Sequence, residues 1–351
     1  MAVQVDVIVA GGGPSGLAAA LNAAQKGLSV VVVEPKPGVI DKACGEGLMP
    51  AAVRALSALD VHPATSFPFA GICYRNNGQC ADGAFAGEPG LGVRRTVLHT
   101  ALREAAERAG VQRVEGKVKD IVQTDSSVTA AGHTGRYLIA ADGLSSGIRA
   151  GLHLNLPSKR ANRLGLRRHY TMAPWSDRVE VFWSDRAEAY VTPVADDLIG
   201  VAVLFDGDPI PPGKGAEAKY NTLLSEFPEL MERLTGEACT VVRGAGPFER
   251  RVRTRQAGRV LLVGDAAGYL DPITGEGIRM GLATAELAIE HIVRGDIHNY
   301  DRAWRRETRA YWWMTGGLLW ARDRPVLRRQ MVPLLRRMPW LFTRIVGVLG
   351  G

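Results

Sequence analysis

Gly11-Gly12-Gly13-Pro14-Ser15-Gly16 places glycines at 11, 13 and 16. Gly11 permits a tight turn, Gly13 lets a diphosphate approach the backbone, and Gly16 lets a helix pack closely on a strand. Pro14 and Ser15 open that helix, whose free N–H groups and positive dipole end attract an anion. Glu34, in Glu34-Pro35-Lys36 at the end of the next apolar strand, can accept hydrogen bonds from ribose hydroxyls. These residues read as a dinucleotide site, and by themselves do not choose between FAD and NAD.

A second constellation makes that choice. A strand-like run, Val260-Leu261-Leu262-Val263, ends at Gly264-Asp265, and Asp271-Pro272-Ile273-Thr274-Gly275-Glu276-Gly277 follows. Asp265 can accept hydrogen bonds from ribityl hydroxyls. Gly275 and Gly277 let backbone amides reach a ring edge at the start of the next helix. The dipole of that helix suits the negative charge that a reduced flavin develops.

In this order the motifs identify a resemblance. The chain resembles, over about residues 3–295, the FAD-dependent superfamily of p-hydroxybenzoate-hydroxylase-type enzymes, geranylgeranyl reductases and flavin halogenases. The resemblance implies non-covalent FAD, with Gly264-Asp265 on its ribityl-phosphate part and Pro272, Gly275, Glu276 and Gly277 at the isoalloxazine. It assigns Asp142-Gly143 to FAD and nicotinamide binding, and Arg95, at the start of a helix, to the neighbourhood of the FAD. It places Asp41-Lys42-Ala43-Cys44-Gly45-Glu46-Gly47 beside the flavin, with Cys44 and Gly45 as cofactor contacts. Cys44 is then a proton donor or a small packing residue. The Cys-Gly-Glu-Gly form is closer to the geranylgeranyl reductases than to the phenol hydroxylases. Tyr190-Val191-Thr192-Pro193 stands where the reductases carry Tyr-x-Trp-x-Phe-Pro, and only the proline agrees, with Tyr190 in the Trp place.

The broken reductase signature favours an NAD(P)H-driven monooxygenase acting on an aromatic or quinone-like small molecule. The alternative is a reductase of C=C bonds in an isoprenoid or other activated alkene, with Cys44 or Tyr190 taking part in the chemistry. A flavin-bearing sensor without catalysis comes third. His169, Tyr170, Trp183 and Tyr190 line a pocket or, as aromatics on strands more often do, pack in the core. No metal site is expected, because Cys44, Cys73, Cys80 and Cys239 lack metal-ligand spacing.

The elements that must position these residues are an α/β, Rossmann-like FAD domain (glutathione-reductase-like) interrupted by an antiparallel substrate sheet, with a helical C-terminal tail. Residues 1–65, 92–154 and 255–296 are expected in the first, 66–91 and 155–254 in the second, and 297–351 in the tail. Helices are expected over 14–26, 96–109 and 277–294 and within 216–233; strands over 3–10, 29–33, 179–183, 189–194, 198–205 and 259–263. The 351 residues carry 43 Lys and Arg against 36 Asp and Glu. From Arg302 onward there are 11 Arg, two acids and five of the seven Trp, so the tail holds +9 and the rest −2. A near-neutral body without a nucleic-acid motif excludes a general nucleic-acid-binding role. The tail reads as an amphipathic segment, Trp and Leu on one side and Arg on the other, that contacts a membrane surface or caps the FAD domain. Four cysteines are too few for a disulfide scaffold, and no apolar run is long enough to span a bilayer. The expected place is the cytoplasm, either free or with the tail on the inner face of the membrane.

Overall fold

The computed structural model describes residues 4–160, 162–208 and 215–350. Val7, Ile8 and Val9 are fully buried, and all five residues of Val30–Glu34 are buried. Runs of β-branched residues covered on both faces form parallel strands. Val260–Leu262, His133–Ala140, Gln4–Ala10, Val30–Glu34 and Gln112–Glu115 lie side by side in that order, all parallel. The helix Pro14–Gln25 covers this sheet with Leu17, Ala18, Ala19, Ala20 and Ala23. Its small residues let Gly277–Arg294 approach, so that a Cβ on Gly281 would meet Ser15 Oγ at 2.3 Å.

The second sheet runs Glu237–Ala238, Arg163–Thr171, Leu198–Asp206, Ala187–Ala195, Arg178–Trp183, Gly71–Asn76 and Gln79–Ala84. Its pairings are antiparallel except for Arg178–Trp183 against Gly71–Asn76, which is parallel. Gly47–Leu48, Gly90–Gly92 and Phe67–Phe69 form a small sheet that brings the Cys44 segment up to this larger one. The FAD-type fold and the C-terminal helices agree with the expected class.

Particulars differ from the sequence reading. The region 216–233 holds two helices, Ala216–Leu224 and Pro228–Arg233, because Pro228 starts the second. Cys73 and Cys80 meet across the hairpin as a disulfide, although no scaffold exists. His169, Tyr170, Trp183 and Tyr190 do not share a pocket. Tyr170 packs in the far-face cluster with Tyr220, whereas Trp183 and Tyr190 face Tyr74 and Ile273. Strand alternation puts neighbours on opposite faces, which separates His169 from Tyr170.

The tail is not a cap on the FAD domain alone, nor is it sorted into an apolar and a basic side. Its helices are Tyr300–Glu307, Arg309–Arg322, Pro325–Arg337 and Pro339–Gly350. Trp304 joins the core of the parallel sheet, under the Arg255 guanidinium. Tyr311, Leu319, Val332, Phe342 and Val346 join the core beneath the second sheet. Phe342 and Val346 lie so close to the Gln79–Ala84 strand that a Cβ on Gly83 would meet Val346 Cγ2 at 2.7 Å. Trp313, Trp320 and Trp340 are exposed instead. No helix among the described residues is long and apolar enough to cross a membrane.

Candidate functional site

The glycine turn is built as its spacing demands. Gly11 has φ +107°, and a Cβ there would lie 2.5 Å from Ala141 O; on Gly16 it would strike Gly11 O. Gly13 meets nothing within 4 Å, leaving the helix N-terminus open to a diphosphate. Glu34 accepts from Gly12 N at 2.7 Å and Lys36 N at 3.0 Å. The second glycine of the run thus shapes the turn too, since a side chain at Gly12 would press on Glu34. Sequence reasoning missed His99. Its Nδ1 accepts from Ile40 N at 3.2 Å, which leaves Nε2–H to donate to Gly12 O at 2.8 Å. Burial holds this imidazole below its ordinary pKa, consistent with the neutral form this bridge needs. A histidine one turn into the Arg95 helix was the available signal.

Gly264-Asp265 packs against the same turn. Gly264 has φ +55°, and a Cβ there would lie 2.4 Å from Ser15 Oγ. Its N–H is received by Thr284 Oγ1 at 3.0 Å. Arg149, buried at 2% exposure, donates to Asp265 O at 3.2 Å, Ala266 O at 3.0 Å and Leu144 O at 2.8 Å. One guanidinium therefore fastens the Asp142-Gly143 turn to the Gly264-Asp265 turn. Nothing local in the sequence marks Arg149 for that. Asp142 Oδ2 accepts from Ile148 N at 3.1 Å, while Asp142 Oδ1 and Arg95 Nε are buried without hydrogen-bond partners among the described residues. The Asp265 carboxylate also has no such partner among them. Burial raises its pKa, and the nearby Lys42, Arg95, Arg149 and Arg250 oppose that rise. Unpaired carboxylates for hydroxyl donors, cations for phosphates and an open helix N-terminus suit the ribityl and diphosphate parts of FAD.

The ring-edge loop is held from three sides. Asp271 caps the 3₁₀ turn Pro272–Thr274 through Ile273 N at 3.0 Å, and Gly275 follows with φ +71°. Tyr190 donates to Ile273 O at 3.0 Å. With its proton so engaged, Tyr190 ties the second sheet to the loop. From the tail, Tyr311 Oη accepts from Leu270 N and Asp271 N and donates to Asp271 O, and Thr274 Oγ1 meets Thr315 Oγ1 at 3.1 Å. Glu276 pairs with Arg279 Nε at 2.7 Å. Gly277 lies against the Tyr269 ring. Beneath the loop, Arg163 bridges Asp271 and Glu188, and Glu188 also takes Arg322 of the tail.

The segment that carries Cys44 leads to Met49, whose Cε lies against Gly275 of the loop. Cys44 Sγ accepts from Glu46 N at 3.4 Å, and Thr192 fixes Gly45 O at 2.8 Å. Cys44 is half-buried. Burial raises the thiol pKa, so the sulfur keeps its proton at neutral pH. Among the described residues no group of three or more His, Cys, Asp or Glu is placed to hold a metal ion.

A family model described as an FAD binding domain matches residues 4–288. The chain belongs to that family. It is a flavoprotein oxidoreductase by the company it keeps. It is 30% identical over 337 residues to a menaquinone reductase of Mycolicibacterium smegmatis, covering 87% of this chain and 80% of the relative. It is 28% identical over 335 residues to a digeranylgeranylglycerophospholipid reductase of Methanothrix thermoacetophila, covering 86% and 83%. The flavin-dependent brominase Bmp2 superposes with a TM-score of 0.84 at 18% identity, covering 99% of this chain and 94% of that one. That last likeness is one of fold.

For this flavoprotein, Asp265→Ala should weaken FAD binding about tenfold to a hundredfold, by the ~1.5–3 kcal/mol of a hydrogen bond to a charged acceptor. Asp265→Asn, which keeps an acceptor, should lose less. Flavin fluorescence titration of the apoprotein reads both, and unchanged affinity in the alanine variant would remove Asp265 from the cofactor site.

Proposed function

We propose that this flavoprotein reduces a C=C bond in the prenyl chain of a lipid, taking electrons from a nicotinamide that binds transiently. The observations that carry the reading are the Cys44 thiol, held by the Glu46 amide and kept protonated by its burial, and sequence relatives that are named reductases. Menaquinones and digeranylgeranylglycerophospholipids share the polyprenyl chain, and this is the substrate class we assign. FAD, when bound, supplies the two-electron redox chemistry.

The chain's own residues do the rest. The Glu46 amide holds Cys44 Sγ, and the thiol carries the proton that the second alkene carbon needs. Lys42 and Arg95 bring positive charge to the phosphate end. The exposed Trp and Arg of the tail rest on an anionic bilayer, which delivers a substrate of this kind.

The experiment is turnover of menaquinone with an unsaturated side chain, with and without oxygen, read by product mass. A gain of two hydrogens without oxygen is expected, with the rate about a hundredfold lower in Cys44→Ser. One added oxygen atom, dependent on air and indifferent to Cys44→Ser, would install the monooxygenase instead.

A further inference from the structure

The tail helix Arg309–Arg322 has two working faces. Its buried residues Tyr311, Thr315, Leu319 and Arg322 recur at spacings of three and four and face inward. Trp313 and Trp320, 81% and 54% exposed, lie on the opposite side, with the exposed Gly317 between them. The inward contacts fall on either side of Gly316-Gly317. Ahead of the glycines, Tyr311 and Thr315 hold the ring-edge loop through Leu270, Asp271 and Thr274. Beyond them, Arg322 reaches the second sheet at Glu188 Oε1 and Asp206 Oδ2, both at 2.6 Å. One helix therefore spans from loop to sheet, and the angle between its halves governs both contacts.

Glycine is, after proline, the poorest helix former, because it gives up the most backbone freedom there. Two in succession at a helix centre call for a reason, and packing supplies none. A Cβ on Gly317 would meet nothing within 4 Å, and one on Gly316 would touch only Leu270 Cδ2, at 4.0 Å. Gly281 and Gly83 are different, since a Cβ on either would strike a neighbour. Nor does either hinge glycine take a positive φ. With no steric or conformational task, the pair leaves the helix easy to bend at that point.

We infer that Gly316-Gly317 is a hinge through which bilayer contact at Trp313 and Trp320 tightens the ring-edge loop around the FAD. This deepens the proposed function as its regulation, and rests on the bilayer contact given there rather than on the reaction. A straight helix presents both indoles to one plane, as in this structure, and a bent one presents them one at a time. The bilayer therefore binds the straight form better, and only such a difference in affinity shifts a conformational equilibrium. The straight form is also the one that keeps Tyr311 and Thr315 on the loop while Arg322 holds Glu188. Bilayer and FAD then favour the same state, and each strengthens the other by the same factor. An anionic surface is the occupant of this face because the tail from Arg302 carries +9 and the Arg324 guanidinium stacks over Trp320 at 3.8 Å. The cofactor site thus closes fully where the prenyl lipid is found.

FAD titration of the apoprotein, followed by flavin fluorescence, tests this with phosphatidylserine-containing vesicles present and absent. Vesicles should tighten FAD binding at least about fivefold, and FAD should strengthen vesicle sedimentation by the same factor. The double variant Gly316→Ala, Gly317→Ala has room for both methyl groups and keeps both indoles. Without vesicles it should bind FAD about fivefold tighter than the wild type, and it should gain little when they are added. A wild type that sediments with vesicles yet binds FAD equally well with and without them overturns the coupling. A double variant with the full wild-type response to vesicles puts no hinge at the glycines and overturns the proposal as well. No sedimentation at all removes the bilayer, and the coupling with it. Turnover enters none of these readings, so an oxygen-inserting wild type would defeat the reductase reading and leave the hinge standing.

Discussion

Glu188→Ala should destabilise the protein by about 3–5 kcal/mol and loosen its flavin, although residue 188 touches no part of the cofactor site as read from motifs. Glu188 is 1% exposed and serves two guanidiniums, Arg163 Nη2 at 2.5 Å and Arg322 Nε at 2.6 Å. Arg163, in turn, holds Asp271, the cap of the ring-edge turn, at 3.1 Å, and Arg322 also reaches Asp206 at 2.6 Å. Burial alone would lower the Arg163 pKa, but Glu188 and Asp271 more than offset it and hold the group above its ordinary value. Removing the shared carboxylate leaves two buried cations with weakened partners, which is the costly way to break such a cluster. The variant Glu188→Gln keeps shape and acceptor on one side and should lose about half as much. Thermal unfolding and the visible flavin spectrum, measured together, read both effects. An unchanged unfolding midpoint in the alanine variant would mean that the loop is held by Tyr311 and Tyr190 without the charges.

That cluster also shows where sequence reading stopped. The glycines of the diphosphate turn, Glu34, and the Gly264-Asp265 and Gly275–Gly277 runs were legible because each performs a local backbone task with a fixed spacing. The strands read at 3–10, 29–33 and 259–263 were legible as short apolar runs, whereas Gln112–Glu115, largely polar and exposed at both ends, was not. Arg149, Glu188, Tyr311 and Thr284 were not. Each acts on a loop that is distant in sequence, and an arginine that fastens two turns looks like any surface arginine until the fold closes. His169 was noticed only as an aromatic on a strand, and its partner Glu46 only as an acid near Cys44. They meet across a separation of 123 positions in the chain.

The tail was misread for a related reason. Composition showed eleven arginines and five tryptophans, but only the fold reveals which of them are spent on the core. Trp304 is 2% exposed and Arg322 6%, both committed to packing and ion pairs. Deleting the tail would therefore strip Tyr311, Thr315 and Arg322 from the ring-edge loop, and such a truncation says nothing about lipid.

The informative variant leaves the core alone. Trp313, Trp320 and Trp340 are 81%, 54% and 64% exposed, and Val326, Leu334 and Val348 are exposed with them. Trp313 and Trp320 lie two turns apart on one face of their helix. Arg324 stacks over Trp320 at 3.8 Å, and Arg309, Arg336, Arg337 and Arg344 are exposed along the same four helices. Indole rings seat at the boundary between headgroups and acyl chains, and each arginine near an anionic surface adds about 1 kcal/mol. Replacing the three tryptophans with serine should weaken binding to phosphatidylserine-containing vesicles by about a thousandfold. That corresponds to ~1.4 kcal/mol per ring, below the value for burying a large side chain fully. High salt should weaken the wild type as well, because the arginine contribution is screened within a Debye length. Unfolding should move little, since these rings pack against nothing that the core needs. Vesicle sedimentation in which the triple variant and the wild type partition alike would show that the exposed tryptophans meet no bilayer, and that a prenyl substrate must reach Cys44 by another route.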